Sequence, residues 1–262
     1  MRRTLIEEYQ QAHDCNLVVM IDLIYPASVT YLAELLEAVD HSKDLHLMLY
    51  SPGGDGDAAV RLARMCQKAS REFTVVVPDS AKSAATIVAL GAHQIIMGPT
   101  SDLGPVDPQI PLGERRWASA KDLITAVDRA MREVEKRPDT WRLHTAMLTG
   151  INATTAQQAR SALTATGDIV RKAVSSNPDR SDADIRDLCK KIHKPLISAP
   201  SSHSAVIGAR EAIGAGLPVK ELEPADPQWR RIWHLWVQYF ALGIPHLMAY
   251  ESAKASQVYP LD

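Results

Sequence analysis

Chemistry in this sequence is concentrated in residues 74–110, where Ser83 stands in Ala81-Lys82-Ser83-Ala84-Ala85, shortly after the β-branched run Thr74-Val75-Val76-Val77. Such a run has the length and composition of a buried strand. Pro78 and Asp79 close it, and Ile87-Val88-Ala89-Leu90 continues the segment as a helix. A strand that turns sharply into a helix, with serine at the turn, presents a hydroxyl beside unbonded backbone N–H groups. The helix start also favours negative charge. That is the chemistry of acyl transfer, in which an oxygen attacks a carbonyl and amides hold the oxyanion. Small residues at such a turn also serve a plainer purpose, letting helix and sheet approach closely, and the pattern alone leaves both readings open.

A second special turn precedes it: Ser51-Pro52-Gly53-Gly54-Asp55-Gly56-Asp57. It lacks the Lys-Ser/Thr of a nucleotide cradle and does not match GxGxxG. It is either an ordinary tight turn or a donor loop in which glycine lets a backbone N–H face a ligand with no Cβ in the way.

The elements that must position these turns follow from periodicity. Residues 2–14 read as an amphipathic helix, 17–24 as an apolar core strand, and 28–39 as a helix with Ser28 available to cap it. Residues 44–50 read as a strand, and the helix after the glycine turn carries Ala59, Leu62, Ala63 and Cys66 as its apolar stripe. Strands at 74–77 and 94–97 flank the serine turn. This alternation predicts an α/β fold with a mainly parallel sheet, and both special turns fall at the carboxyl ends of strands, where sites in such sheets lie. Beyond Ile110 the strand signals thin out. Helices are expected at 119–135, 141–148, 154–174, 182–192 and 205–215, with loop between 194 and 204. In the tail, Ile232, Trp233, Trp236, Val237 and Phe240 fall at helical spacing and suit a packed or subunit-facing helix better than a membrane-surface one. Ser119 can cap the helix at 119–135, which leaves Lys121 in its first turn, where a cation opposes the helix dipole. Such a lysine either points into water or is put to use.

Bulk composition sets the class. The 262 residues are 46% hydrophobic and 23% charged with a net charge of -2, so neither nucleic acid nor an anionic membrane is expected as the main partner. Cys15, Cys66 and Cys189 are far apart and form no CxxC, which argues against a disulfide framework or a zinc site and for a reducing compartment. No signal peptide or membrane span is read from the sequence, and a cytoplasmic setting is expected.

Taken together, Ser51-Pro52-Gly53-Gly54, Ala81-Lys82-Ser83-Ala84-Ala85 and Leu103-Gly104-Pro105-Val106-Asp107-Pro108-Gln109 resemble the serine dehydrogenase proteinase family. That family has the Clp/crotonase fold and is related to signal peptide peptidase A and the Clp proteolytic subunit. The resemblance covers residues 1–222, is densest over 45–110, and fades in the tail. It implies an α/β, Clp/crotonase-like spiral of β-β-α units with a helical C-terminal half. A serine peptidase domain is expected over 1–222 and an aromatic helical tail over 223–262, making a packing or oligomer contact. It implies peptide-bond hydrolysis without metal or organic cofactor, on peptide or unfolded protein substrates, by a homo-oligomer.

Carried over residue by residue, Ser83 stands at the nucleophile, and Gly54 and Ala84 stand where the oxyanion-hole amides are expected. Many relatives have glycine where this chain has Ala84, a change a backbone donor tolerates. The Clp-type histidine is missing from the segment 104–108, and His93 comes too early. Relatives of signal peptide peptidase A use a Ser–Lys dyad, and Lys121 stands at the lysine's place. Near the positive helix end an amine there could take the Ser83 proton. Lys82, beside the serine, ranks below it. His203 is the alternative base, with Asp107 as its partner or simply a cap of its own loop. Two other functions compete: a catalytically silent scaffold or partner-binding subunit, and a crotonase-type acyl-CoA enzyme. No glutamate lies between Glu72 and Glu114 to serve the last of these.

Overall fold

The computed structural model describes residues 1–113, 117–198 and 205–260. Along the chain run α1 (Arg2–His13), β1 (Cys15–Ile21), α2 (Ser28–Leu36), β2 (Asp44–Tyr50), α3 (Gly56–Lys68), β3 (Phe73–Val77) and β4 (Ser80–Ala81). Then follow α4 (Ala84–Leu90), β5 (Gln94–Met97), β6 (Asp102–Leu103), β7 (Gln109–Pro111), β8 (Trp117–Ser119), α5 (Ala120–Lys136), α6 (Trp141–Met147) and α7 (Ala153–Val174). The remainder is α8 (Asp182–Ile192), α9 (Ala209–Gly214), β9 (Val219–Glu221), α10 (Pro227–Phe240), β10 (Leu247–Ser252) and β11 (Ser256–Pro260). Two compact units result. The first comprises Met1–Val106 and Ile169–Asp262, the second Asp107–Asp168.

The first unit is built on a seven-stranded sheet ordered β11-β10-β1-β2-β3-β5-β9. The pairs from β1 through β9 are parallel, while β10 runs antiparallel to β1 and to β11. Every residue of β1 and β3 is buried, which is why these strands read as continuous apolar runs. Successive side chains alternate between two layers. Val18, Met20, Leu47, Val75 and Val77 join the core under α2, α3 and α4, while Leu17, Val19, Met48 and Val76 join a core with Ile6 and Tyr9 of α1 and Trp229, Ile232 and Trp236 of α10.

Above the carboxyl ends of the strands runs a second, narrow ladder. Ile24 bridges Gly54, Ser51 bridges Ala81, Ala81 pairs with Leu103 in the β4–β6 ladder, and Leu103 bridges Ile207. Each repeat thus gives one long strand to the main sheet, a short extended piece to the upper ladder, and then a helix. This is the expected spiral of β-β-α units.

Several elements differ from expectation. Helix α2 starts behind Ala27 without a side-chain cap, and Ser28 is instead fully buried, accepting from Tyr25 N–H at 3.1 Å and donating to Leu23 O at 3.2 Å. Within the tail, α10 buries Trp229, Ile232, Leu235, Trp236 and Tyr239, so its inward face is rotated from the anticipated stripe and leaves Trp233, Val237 and Phe240 exposed. The tail is not wholly helical: β10 and β11 form a hairpin that extends the sheet past β1. Part of the segment anticipated as loop between 194 and 204 is a π-helical turn, His193–Ser198.

The second unit holds the β7–β8 hairpin, α5, α6 and the first part of α7 around a small core of Ile110, Ala120, Leu123, Ala156 and Ala159. Ser119 caps α5 as expected, accepting from Asp122 N–H at 3.3 Å.

The chain's two ends meet at Glu251 of β10, which is 2% exposed. It accepts from Arg2 Nε at 2.8 Å, Tyr239 Oη at 2.6 Å and Ser256 Oγ at 2.9 Å. Burial pushes its carboxyl up, yet the three donors together hold it below the usual glutamate range. A carboxyl lowered on folding stabilises above its unfolded pKa and loses that contribution as pH falls through the folded one. Glu251→Gln is therefore expected to cost about 1–3 kcal/mol in urea denaturation at neutral pH. The gap to wild type should narrow below about pH 4. A gap that stays constant into acid would contradict this assignment.

Candidate active site

The serine turn is sharp because Ser83 itself bends the wrong way. Its φ of 50° and ψ of −110° are rare for a residue with a Cβ. The conformation is held from both sides. On the strand side, Lys82 N–H donates to Ser51 O at 2.9 Å and Gly104 N–H to Ala81 O at 3.1 Å. On the helix side, Thr86 Oγ1 is fully buried within 2.8 Å of both Ala81 O and Gly104 O. All seven residues of α4 are buried, and its small residues let it run close to α3. Ser83 is half-buried, and its hydroxyl hydrogen-bonds to nothing among the described residues.

The glycine loop packs directly against this turn. A Cβ on Gly53 would lie 2.8 Å from Ser83 Cβ and 3.5 Å from Ala84 N; one on Gly54 would lie 2.0 Å from Ile24 O. Both glycines have positive φ, 117° and 137°, so side chains are excluded twice over. Gly53 N–H donates to Ser51 Oγ at 3.1 Å and Gly53 O accepts from Ile24 N–H at 2.8 Å. Gly54 N–H and Ala84 N–H, by contrast, donate to no group among the described residues. Ser83, Gly54 and Ala84 therefore belong to one cluster in the first unit, with two spare donors and one spare hydroxyl.

The remaining candidates sort differently. Lys82 Nζ is 2.7 Å from Asp102 Oδ2 and 3.4 Å from Ala205 O, and its stem covers Gly104, so it is fixed as an ion pair. Nearby, Asp79 has its carboxyl pushed up by burial and by Asp102, with Lys82 opposing. Lys121 belongs to the second unit, half-buried in the first turn of α5, where its carbonyl accepts from Thr125 Oγ1 at 2.7 Å. Asp107, in the same unit, accepts from Ser119 Oγ at 2.9 Å and Gln109 Nε2 at 2.8 Å, the contacts of a loop cap. His203 lies outside the described residues. His93 is occupied at the start of β5, its Nδ1 accepting from Phe73 N–H at 3.0 Å.

One participant goes unread in the sequence. Ile24 holds the glycine loop through its backbone alone, so its side-chain type carries no signal. Its place just past the end of β1 is the one available clue.

Residues 30–162 match the family described as ClpP-like SDH-type serine proteinase. Two uncharacterised proteins of Methanocaldococcus jannaschii are similar over shorter stretches. One is 39% identical over 75 residues, 29% of this chain and 26% of the relative. The other is 34% identical over 80 residues, 29% of this chain and 27% of the relative. The chain thus spans about a quarter of the length of the curated relatives it matches. Among solved structures, a mutant of the 1510-N membrane-bound stomatin-specific protease superposes with a TM-score of 0.50 at 15% identity, over 80% of this chain and 78% of that one. At that identity the likeness is one of fold. The matched family span contains both the glycine loop and the serine turn, and the chain belongs to the ClpP-like SDH-type serine proteinase family.

Proposed function

We propose that this chain hydrolyses peptide bonds through Ser83. The observation that carries the reading is the strained serine whose hydroxyl is unbonded, set in one cluster with the two spare N–H groups of Gly54 and Ala84. Strain of this kind costs about 1–3 kcal/mol and persists where the surroundings over-determine it, as they do here. Ser83 Oγ attacks the scissile carbonyl carbon and its proton passes to the general base. The carbonyl oxygen becomes an oxyanion held by the amides of Gly54 and Ala84. Collapse breaks the C–N bond, the base returns the proton to the leaving amine, and water then cleaves the acyl-serine.

We assign the base to Lys121 on the family resemblance to Ser–Lys peptidases, with His203 as the alternative. The substrate class is an extended peptide or unfolded segment, since the chemistry asks only for an accessible backbone carbonyl. Assembly as a homo-oligomer and a cytoplasmic setting belong to the same reading. Among the described residues, no helix is long and apolar enough to cross a membrane.

Intact-mass analysis after treatment with a fluorophosphonate tests these roles together. The wild type should gain one adduct, formed as Ser83 Oγ bonds to phosphorus and fluoride leaves. The adduct should vanish in Ser83→Ala and Lys121→Ala and survive in His203→Ala. The reverse behaviour of the last two variants would move the base to His203, and an unlabelled folded wild type would favour the silent scaffold. A second prediction separates backbone from side chain. Ala84→Gly keeps the N–H and should label within a few-fold of wild type. Gly54→Ala, whose methyl collides with the Ile24 carbonyl, should lose at least about 100-fold, the scale of one missing oxyanion donor. Equal labelling of the two would count against the oxyanion assignment.

A further inference from the structure

The amide proposed to hold the oxyanion is only as well placed as the backbone that grips it. Gly54 is gripped chiefly by Ile24, with Ser51 Oγ adding a longer bond of 3.3 Å to Gly53 O. Ile24 N–H donates to Gly53 O at 2.8 Å, Asp55 N–H donates to Ile24 O at 2.7 Å, and the Ile24 carbonyl oxygen fills the space a Gly54 side chain would need. The two Ile24 bonds hold the peptide planes on either side of Gly54, so the direction of its N–H depends on where Ile24 sits. Ile24 itself lies beyond the end of β1, outside the main sheet ladder.

Two residues before Ile24 lies a polar anchor. Asp22 is 5% exposed, and its Oδ2 accepts from Tyr250 Oη at 2.9 Å. Tyr250 is itself fully buried on β10, directly opposite Met20 of β1, with its ring 5.1 Å from that of Tyr31. A buried carboxylate is a costly way to fasten a loop; an apolar side chain of similar volume would serve packing as well or better. What the carboxylate–phenol pair adds is direction, because a hydrogen bond sets the register of the chain leaving β1 where apolar contact would let it slide. Glu251, on the same strand, makes a comparable bond with Tyr239 at 2.6 Å, but that pair ties α10 to β10 and touches nothing in the serine turn or the glycine loop.

We propose that Asp22 and Tyr250 are positioning residues for the Gly54 amide: their hydrogen bond sets Ile24, and Ile24 aims the Gly54 N–H at the oxyanion. The inference rests on the assignment of Ser83 and Gly54 made above. It gives the C-terminal hairpin a part in catalysis, as a positioning element.

The test is the kinetics of fluorophosphonate labelling of the full chain, resolved into the inactivation rate constant kinact and the reversible constant KI, with the site located by peptide mapping. Tyr250→Phe removes one hydroxyl and keeps the ring. It should lower kinact about tenfold with KI within about twofold, because misplacing a catalytic dipole by a fraction of an ångström is felt in the chemical step. Asp22→Asn keeps an acceptor for Tyr250 and should stay within about threefold of wild type, while Asp22→Ala should fall at least as far as Tyr250→Phe. Tyr239→Phe removes an equivalent buried bond and should leave kinact unchanged even where the urea midpoint drops. Labelling of Ser83 at the wild-type rate in Tyr250→Phe, or equal slowing in Tyr250→Phe and Tyr239→Phe, would overturn the positioning role and leave the nucleophile standing. A wild type that is not labelled at Ser83 would overturn both.

Discussion

The closest approach in the cluster around Ser83 is between two backbones. The glycine loop lies so near the serine turn, and so near Ile24, that no side chain fits at Gly53 or Gly54. The arrangement of β-β-α repeats makes this approach possible. Each parallel strand ends at the same level, and the short extended pieces beyond the strands pair with one another as a second ladder. In that ladder Ser51 O takes the N–H of Lys82 and Ser51 N–H goes to Ser80 O, so the glycine loop and the serine turn are hydrogen-bonded neighbours before any side chain is considered. The unusual φ of Ser83 is the consequence of forcing a strand into a buried helix in so few residues.

The polar groups around the cluster divide between holding and reacting. Thr86, Ser51 and Lys82 spend their hydrogen-bonding capacity on the protein itself. Ser83 hydroxyl and the N–H groups of Gly54 and Ala84 do not. Ala84 is 1% exposed, and an unsatisfied donor in so buried a residue asks for a ligand, while the N–H of the exposed Gly54 is open to one. A carbonyl oxygen gaining negative charge is a ligand that two such amides suit.

Much of this was legible in the sequence, for identifiable reasons. The strands were readable because β1 and β3 are buried on both faces and so carry unbroken apolar runs, and α3 was readable because its stripe of Ala59, Leu62, Ala63 and Cys66 is all core. The two special turns are legible as turns because a glycine pair and a small-residue cluster each follow a strand directly, although that pattern alone does not separate close packing from a donor site. Where long-range partners decide, local pattern failed. Ser28 is spent on the turn before its helix instead of capping it, and the inward face of α10 was misplaced because aromatic residues sit on both sides of it. β10 and β11 carry no clear strand signal because Glu251 and Ser252 break the apolar run, although Glu251 is buried with Arg2, a partner from the other end of the chain. Ile24 gives no side-chain signal, since its contribution is made by main-chain atoms.

If Ser83 is the nucleophile, it forms a tetrahedral adduct whose oxygen is held between Gly54 and Ala84. A crystal structure of the protein soaked with a peptide boronic acid tests it most directly, since boron takes up the tetrahedral geometry of the acylation intermediate. Boron should be bonded to Ser83 Oγ, with one boronate oxygen within about 3 Å of both the Gly54 and Ala84 nitrogens. Boron bound to another residue, or bound to Ser83 with its oxygen turned away from both amides, would contradict it.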